Sequence, residues 1–259
     1  TQDMAMKLAD WDGFAARRAD AAKRGKLRGI GLGYFIEASG GQPFEWARVA
    51  LTPEGRAKLT VGTFSHGQGH ETAFAQILSE KLGLPFDAID LIQGDSDVVV
   101  KGGGTGGSRS SQMGGVATSR AATMVIEKAK RIAAHLLEAG VADIEFLNGR
   151  FSVAGTDIAT SWPAVIAAAH DSARLPPNET PGLDEQLTYT RDTECNFPNG
   201  CHGAEVEVDP TTGEVTIANY AAVDDVGVPI NPMLVHGQCH GGIMAGIGQA
   251  MLEHAQYDP

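Results

Sequence analysis

The sequence predicts an α+β fold of mixed sheets and helices, built around two related hairpin–loop–helix units. The first observation behind this is a repeated phrase: "SHGQGHETA" at 65–73 and "VHGQCHGGI" at 235–243 share His-Gly-Gln-x-His. The second is what surrounds each copy. "RVALTPEGRAKLTVGTF" turns at Pro53-Glu54-Gly55 and "AEVEVDPTTGEVTIANYAAV" turns at Asp209 to Gly213. Period-2 runs around such turns read as hairpins. After the copies, Phe74, Ile77, Leu78 and Leu82, then Ile243, Ile247 and Met251, fall at helical spacing. Third, strands and helices mingle without strict βαβ alternation, which argues against a doubly wound sheet. Two divergent copies are too few for a solenoid. They predict a pseudo-symmetric pair of loops facing one shared site, with "DDVGVPINPML" inserted before the second.

The remaining elements follow in order. Residues 5–24 read as one amphipathic helix with Leu8, Trp11, Phe14 and Ala15 on one side and a solvated basic face. "LRGIGLGYFIEA" (27–38) reads as a buried strand whose glycines admit another backbone. "AIDLIQGDSDVVV" supplies a strand ending in a turn, and the glycine-rich "KGGGTGGSRSSQMGG" leads into a helix over about 116–139 with Val125, Ile132 and Leu136 on one side. "IEFLNGRFSVAG" is a hairpin turning at Asn148-Gly149. "SWPAVIAAAH" reads as a short helix capped by Ser161, with Pro163 in its first turn. "LPPNETPGL" (175–183) is the expected linker. It separates a first subdomain with its N-terminal helix (1–174) from the start of a second (184–259).

Composition narrows the function. With 259 residues, 42% apolar and 20% charged, the chain is ordinary for a globular protein and long enough for a sizeable core. No stretch approaches the roughly 20 apolar residues of a membrane span. The start, "TQDMAMKLADWDG", lacks the apolar region of a signal peptide. A net charge of −12 argues against a nucleic-acid partner, though not against one small anion held by N–H groups and an arginine. Cys195, Cys201 and Cys239 fit neither a disulfide framework nor a common zinc spacing. The ending "EHAQYDP" reads as an unfinished turn at Asp258-Pro259, as expected of a fragment.

Chemistry concentrates in three loops. Gly102, Gly104 and Gly107 satisfy G-x-G-x-x-G, but the acidic residue about 20 on, Glu127, falls inside a predicted helix, and Ser108 stands where a phosphate-loop motif wants Lys. Glycines followed by "SRSS" at a helix start still offer N–H groups, hydroxyls and a guanidinium to a phosphate. A flexible surface loop is the alternative. Gln68 and Gln238 each carry an acceptor and two donors, flanked by Gly67, Gly69 and Gly237, where a ligand can approach the backbone. The His66/His70 and His236/His240 pairs have zinc-like i, i+4 spacing but no Glu at the expected place. Asp224-Asp225 reads as acid/base carboxylates or, more simply, as a turn or cap.

"HGQGHETAFAQILSEKLGLPFDAIDLIQGDSD", "GTGGSRSSQMGG", "FPNGCHGAEVEVDPTTGEV" and "AVDDVGVPINPMLVHGQCHGGIMAGIGQAMLE" together resemble the molybdenum-binding large subunit of the xanthine dehydrogenase/aldehyde oxidase family, in its bacterial carbon-monoxide- or aldehyde-dehydrogenase-type branch. The resemblance implies that the chain is a fragment of the molybdopterin-binding domain. It implies that Gly67, Gln68 and Gly69 hold the pterin and the metal's oxo side, that Thr105, Gly106, Gly107, Ser108 and Arg109 hold the pterin and its phosphates, and that Gln238 approaches the dithiolene. The implied cofactor is molybdopterin with molybdenum, in the cytosine dinucleotide form, with Asp225, Ile230 and Asn231 near the nucleotide. Its metal takes sulfur from the cofactor, so no protein metal ligand is expected. The implied activity is oxidation of an aldehyde, N-heterocycle or similar small molecule with water-derived oxygen. The implied partners are iron–sulfur and FAD subunits or domains and the rest of the large subunit. The family's catalytic Glu lies downstream of these residues, so no catalytic residue is assigned and the fragment is expected to be inactive. The rival reading is a non-catalytic nucleotide-binding or scaffold module.

Overall fold

A computed structural model describes residues 1–192 and 195–258; Pro259, half of the turn expected at the end, lies outside them. The fold is α+β with mixed sheets. By contacts the chain divides into two discontinuous compact units, 1–39 with 195–228, and 40–194 with 229–259. The segment 175–183 lies wholly inside the second unit. There it is laid against a helix rather than spanning a gap: Lys128 Nζ donates to Thr180 Oγ1 at 2.9 Å, and Arg131 pairs with Glu179.

The first unit is a three-stranded antiparallel sheet with two helices, α1 (Gln2–Leu8) and α2 (Phe14–Lys23). The single helix expected over 5–24 is broken between Leu8 and Phe14, where Asp10 takes a left-handed φ of 48 and its carboxylate pairs with Arg17 beside Gly13. Strand β1 (Leu27–Ile36) pairs with a later strand, Asn199–Val208, which in turn pairs with Val215–Asp225 around the 209–213 turn. Strand β1 is not buried. Its Arg28, Ile30 and Leu32 are half-buried, whereas Gly29, Gly31 and Gly33 face open space. The backbone expected against those glycines is not found among the described residues. Glu205, 1% exposed, accepts from both Arg17 and Arg28; the Arg17 hydrogen bond above all, then that of Arg28 and the two charges, hold its carboxyl below the usual range.

The second unit holds the main core. Strands β2 (Phe44–Leu51) and β3 (Ala57–Val61) form the predicted hairpin, closed by Thr52 N–H to Arg56 O at 2.8 Å with Gly55 at φ +84. Helix α3 (His70–Leu82) crosses over to β4 (Ile89–Ile92), parallel to β3. Leu183–Thr190 pairs with the other edge of β2. Helix α4 (Gly115–Leu136) follows a π-turn at Ser110–Gly114 and carries Val125, Ala129 and Ile132 into the core, where Leu59, Phe74, Leu78 and Leu82 are also buried. The small sheet β5 (Ile144–Leu147), β6 (Arg150–Val153) and β7 (Ala159–Ser161) turns at Asn148 and Gly149, both at positive φ. Helix α5 (Trp162–Ala169) has the predicted proline in its first turn, but Ser161 makes no side-chain cap bond; Trp162 Nε1 donates to Leu82 O at 2.6 Å instead. Continuing the numbering, β8 is Leu183–Thr190, β9 Asn199–Val208, β10 Val215–Asp225 and α6 Pro232–Met251.

Both copies of the repeat have a hairpin before and a helix after. The shared design stops there. The second hairpin, β9–β10, belongs to the first unit and the helix after it to the second unit. Moreover, the second Gly-Gln segment is not a loop, because α6 starts at Pro232 and contains His236–His240.

Candidate functional site

The site is built where β3 runs out. Gly62 and Gly102 are in backbone contact: a Cβ on Gly62 would stand 2.4 Å from the Lys101 carbonyl oxygen and 2.6 Å from Gly102 Cα. Only glycine at both positions lets the glycine loop lie against the end of β3. Next, the hydroxyls of Thr63, Thr105 and Ser110 close a triangle, with Thr63 and Ser110 buried. Finally, the Phe64 carbonyl accepts from Thr105 Oγ1 at 2.5 Å and from Gln68 Nε2 at 3.4 Å. The first Gly-Gln loop and the glycine loop therefore meet at one main-chain acceptor.

Arg109 holds that arrangement from below. Its guanidinium is 2% exposed, donating through Nη1 to Gly104 O at 2.9 Å and through Nη2 to Phe44 O. Nη1 stands 2.8 Å from Glu45 Oε2, at an angle that makes an ion pair but no hydrogen bond. Glu45 is fully buried; burial pushes its carboxyl above the usual range, against the Trp46 N–H and the Arg109 charge. The arginine expected to meet a phosphate is thus an internal strut. Gly107, at φ +59, is also structural. Its N-terminal neighbour in space is Gly41, whose Cα lies 3.2 Å from where a Cβ would be, and Gly107 O accepts from Gly40 N–H at 2.7 Å.

Other positions are open. Nothing lies within 4 Å of the place a Cβ would take on Gly67 (φ +93), Gly104 (φ +64) or Gly106. Ser108 is exposed at φ +53, a left-handed conformation uncommon for a residue with a Cβ. Gly67 and Gly69 line, with Phe64, Glu71 and Gln93, a concavity of about 510 Å³. Gly69 caps α3 at φ +81 with the Leu234 side chain filling the space a Cβ would need, 2.6 Å away at Cδ2. That contact brings α6 to the first loop. Gln238, one turn beyond Leu234, lies on the same helix face and is exposed. His236 and His240 lie two residues off that line, on another face. Asn231 is already engaged: its side chain caps α6 by accepting from Leu234 N–H at 3.0 Å and donates to Gln76 Oε1 at 2.9 Å.

Two features of the site escaped sequence reasoning. One is the Glu45–Arg109 pair, although a signal existed: Glu45 shares the inward alternation of Ala47, Val49 and Leu51, so it needed a buried partner. The other is the inward setting of His70, which the sequence offered only as half of a zinc-like pair: it is 5% exposed and bonded to Gln93 at Nδ1 and to Gln68 at Nε2, with burial holding its pKa below the ordinary value. Among the described residues no group of three His, Cys, Asp or Glu side chains is placed to hold a metal ion, and no helix is long and apolar enough to cross a membrane.

A surface of exposed glycine backbone, amide and hydroxyl groups on a rigid buried strut suits a polar, phosphate-bearing ligand. The sequence agrees: residues 4–259 match the family described as molybdopterin cofactor-binding domain, and the chain belongs to it. It is 37% identical to the carbon monoxide dehydrogenase large chain of Afipia carboxidovorans over 98% of this chain, and 35% identical to the nicotine 6-hydroxylase large subunit of Paenarthrobacter nicotinovorans over 99%. Among solved structures, quinoline 2-oxidoreductase from Pseudomonas putida 86 superposes with a TM-score of 0.90 at 34% identity, covering 99% of this chain and 34% of that one. The chain spans about a third of these relatives, 34% of the first and 33% of the second.

Proposed function

We propose that the whole protein is a molybdenum hydroxylase, and that this chain supplies part of its cofactor cradle. The observation that carries this is the meeting of the two loops at the Phe64 carbonyl, with Gly67, Gly104 and Gly106 left open beside it. An open glycine lets a ligand lie directly on backbone N–H and C=O groups. Gly67, Gln68 and Gly106 would face the pterin, with the exposed Ser108 hydroxyl and neighbouring N–H groups toward its phosphates. Thr105 and Arg109 hold the loops in shape, Gly69 and Gly107 hold the backbone turns, and Gln238 approaches from α6. When bound, the cofactor supplies a metal that takes up two electrons from the substrate.

Relatives named for nicotine and quinoline favour an N-heterocycle or similar small molecule as substrate. We assign the cytosine dinucleotide form of the cofactor, with iron–sulfur and FAD subunits taking the electrons. On this reading the 259-residue chain alone is inactive, its proton-accepting carboxylate lying in the remainder of the subunit. Metal analysis and pterin extraction on the intact, active complex test the proposal: stoichiometric molybdenum with a cytosine-bearing pterin is expected. An active complex without either would leave the nucleotide-binding module as the better reading.

A further inference from the structure

Gln68 can be oriented without ambiguity, although the two ends of an amide have the same shape. The His66 N–H donates to Gln68 Oε1, and Gln68 Nε2 donates to the Phe64 carbonyl. Neither main-chain group can reverse its polarity. Gln68 therefore presents N–H to His70 Nε2, 3.0 Å away. That nitrogen has to be the acceptor, so the ring's proton sits on Nδ1; the Gln93 amide lies against it with Oε1 at 3.3 Å and Nε2 at 3.2 Å, and of the two only the oxygen can accept that proton. The opposite tautomer would set N–H against N–H. His70 is the first residue of α3, and its ring packs edge-on to Phe74 with centroids 5.1 Å apart, so the imidazole is held by packing as well as by Gln93.

We propose that His70, oriented by Gln93, is a positioning residue that sets the rotation of the Gln68 amide at the cofactor site. The inference rests on the reading that Gln68 faces the cofactor. Without the ring nitrogen, one Gln68 N–H loses its partner and the amide is free to rotate away from the geometry it holds on the loop.

The test uses the full-length large subunit purified in its complex, with molybdenum and pterin counted per subunit. His70→Leu should lower both about five-fold, the scale of one lost hydrogen bond. His70→Gln, which keeps an acceptor within reach, should recover most of the loss. In a Gln68→Ala background, His70→Leu should cost nothing further, because the residue acts through Gln68. Circular dichroism of the cofactor-free form checks folding; should His70→Leu not fold, Gln93→Leu carries the same cycle. Full cofactor in His70→Leu, no recovery in His70→Gln, or an equal loss with and without Gln68 would overturn the positioning role. Full cofactor in Gln68→Ala would overturn the underlying reading as well, whereas depletion in Gln68→Ala beside full loading of His70→Leu overturns the positioning role alone.

Discussion

The two His-Gly-Gln-x-His segments share four of five residues and adopt unrelated backbones. At 66–70 the chain has just left β3; Gly67 and Gly69 take φ +93 and +81, and helix begins only at His70. At 236–240 the same letters lie inside α6. The cause is upstream. Asn231 caps that helix and Pro232 occupies its first position, and a nucleated helix propagates through glycine at modest cost. The first copy has no such start, so its glycines use the left-handed freedom that only they have cheaply. The consequence is chemical. The first copy turns His70 inward and ties Gln68 to its own loop, while the second leaves His236, Gln238 and His240 exposed. A shared pentapeptide sets which groups are available; the cap before it sets where they point.

The sharpest way to break this comparison is alanine at one glycine of each copy. Gly69→Ala forces a left-handed alanine, costing about 1–2 kcal/mol, and drives its Cβ into Leu234. Gly237→Ala sits in open helix and should stabilise by about 0.5–1 kcal/mol. Urea unfolding should show shifts of opposite sign; equal shifts would mean that the two backbones are alike after all. Next in size is Asn231→Ala, which removes the cap at about 1 kcal/mol. Hydrogen exchange should speed up over the first turns of α6 and stay unchanged at 66–70. If both segments respond, the cap does not distinguish them.

The smallest effect is one of pH. Burial lowers the His70 pKa below its ordinary 6.5. Above that pH both folded and unfolded states carry it neutral and nothing changes. As pH falls through 6.5, the unfolded chain binds a proton that the folded one refuses, so stability drops until the lowered folded pKa is reached. His70→Gln should lack this step, whereas His240→Gln, at an exposed position of the second copy, should keep it. Chemical unfolding of each variant between about pH 7 and pH 5 measures the difference.

Much of the fold was legible locally. The turns at Gly55, at Asn148-Gly149 and at 209–213 are written in residues that need positive φ or cap their own backbone, and helices α3 and α4 follow their apolar spacing. Boundaries were lost where side chains from afar decide. Nothing near Asp10 announces that its backbone will turn left-handed, splitting one predicted helix into two. Nor does local pattern show that β1 is covered on one side only. Gly67, Gln68 and the glycine loop were singled out from residue type, and the structure brings the two loops together. Arg109 was read as a phosphate ligand; its internal partners Glu45, Gly104 and Phe44 are ones that no local pattern announces.

The sequence by itself determined the α+β class, the two hairpins, the family and the places of the first Gly-Gln loop and the glycine loop. These depend on local periodicity, on glycine's missing Cβ and on motifs read in order. Only the tertiary structure decided that Glu45 buries against Arg109, that Leu234 fills the gap over Gly69, that the two loops meet at the Phe64 carbonyl, and that the second Gly-Gln segment is helical. The pairings join residues distant in sequence. Their energies come from desolvation, packing and hydrogen bonds that exist only once those residues are brought together. The helical second segment depends in the same way on the start of α6, where Asn231 both caps the helix and reaches Gln76 across the fold.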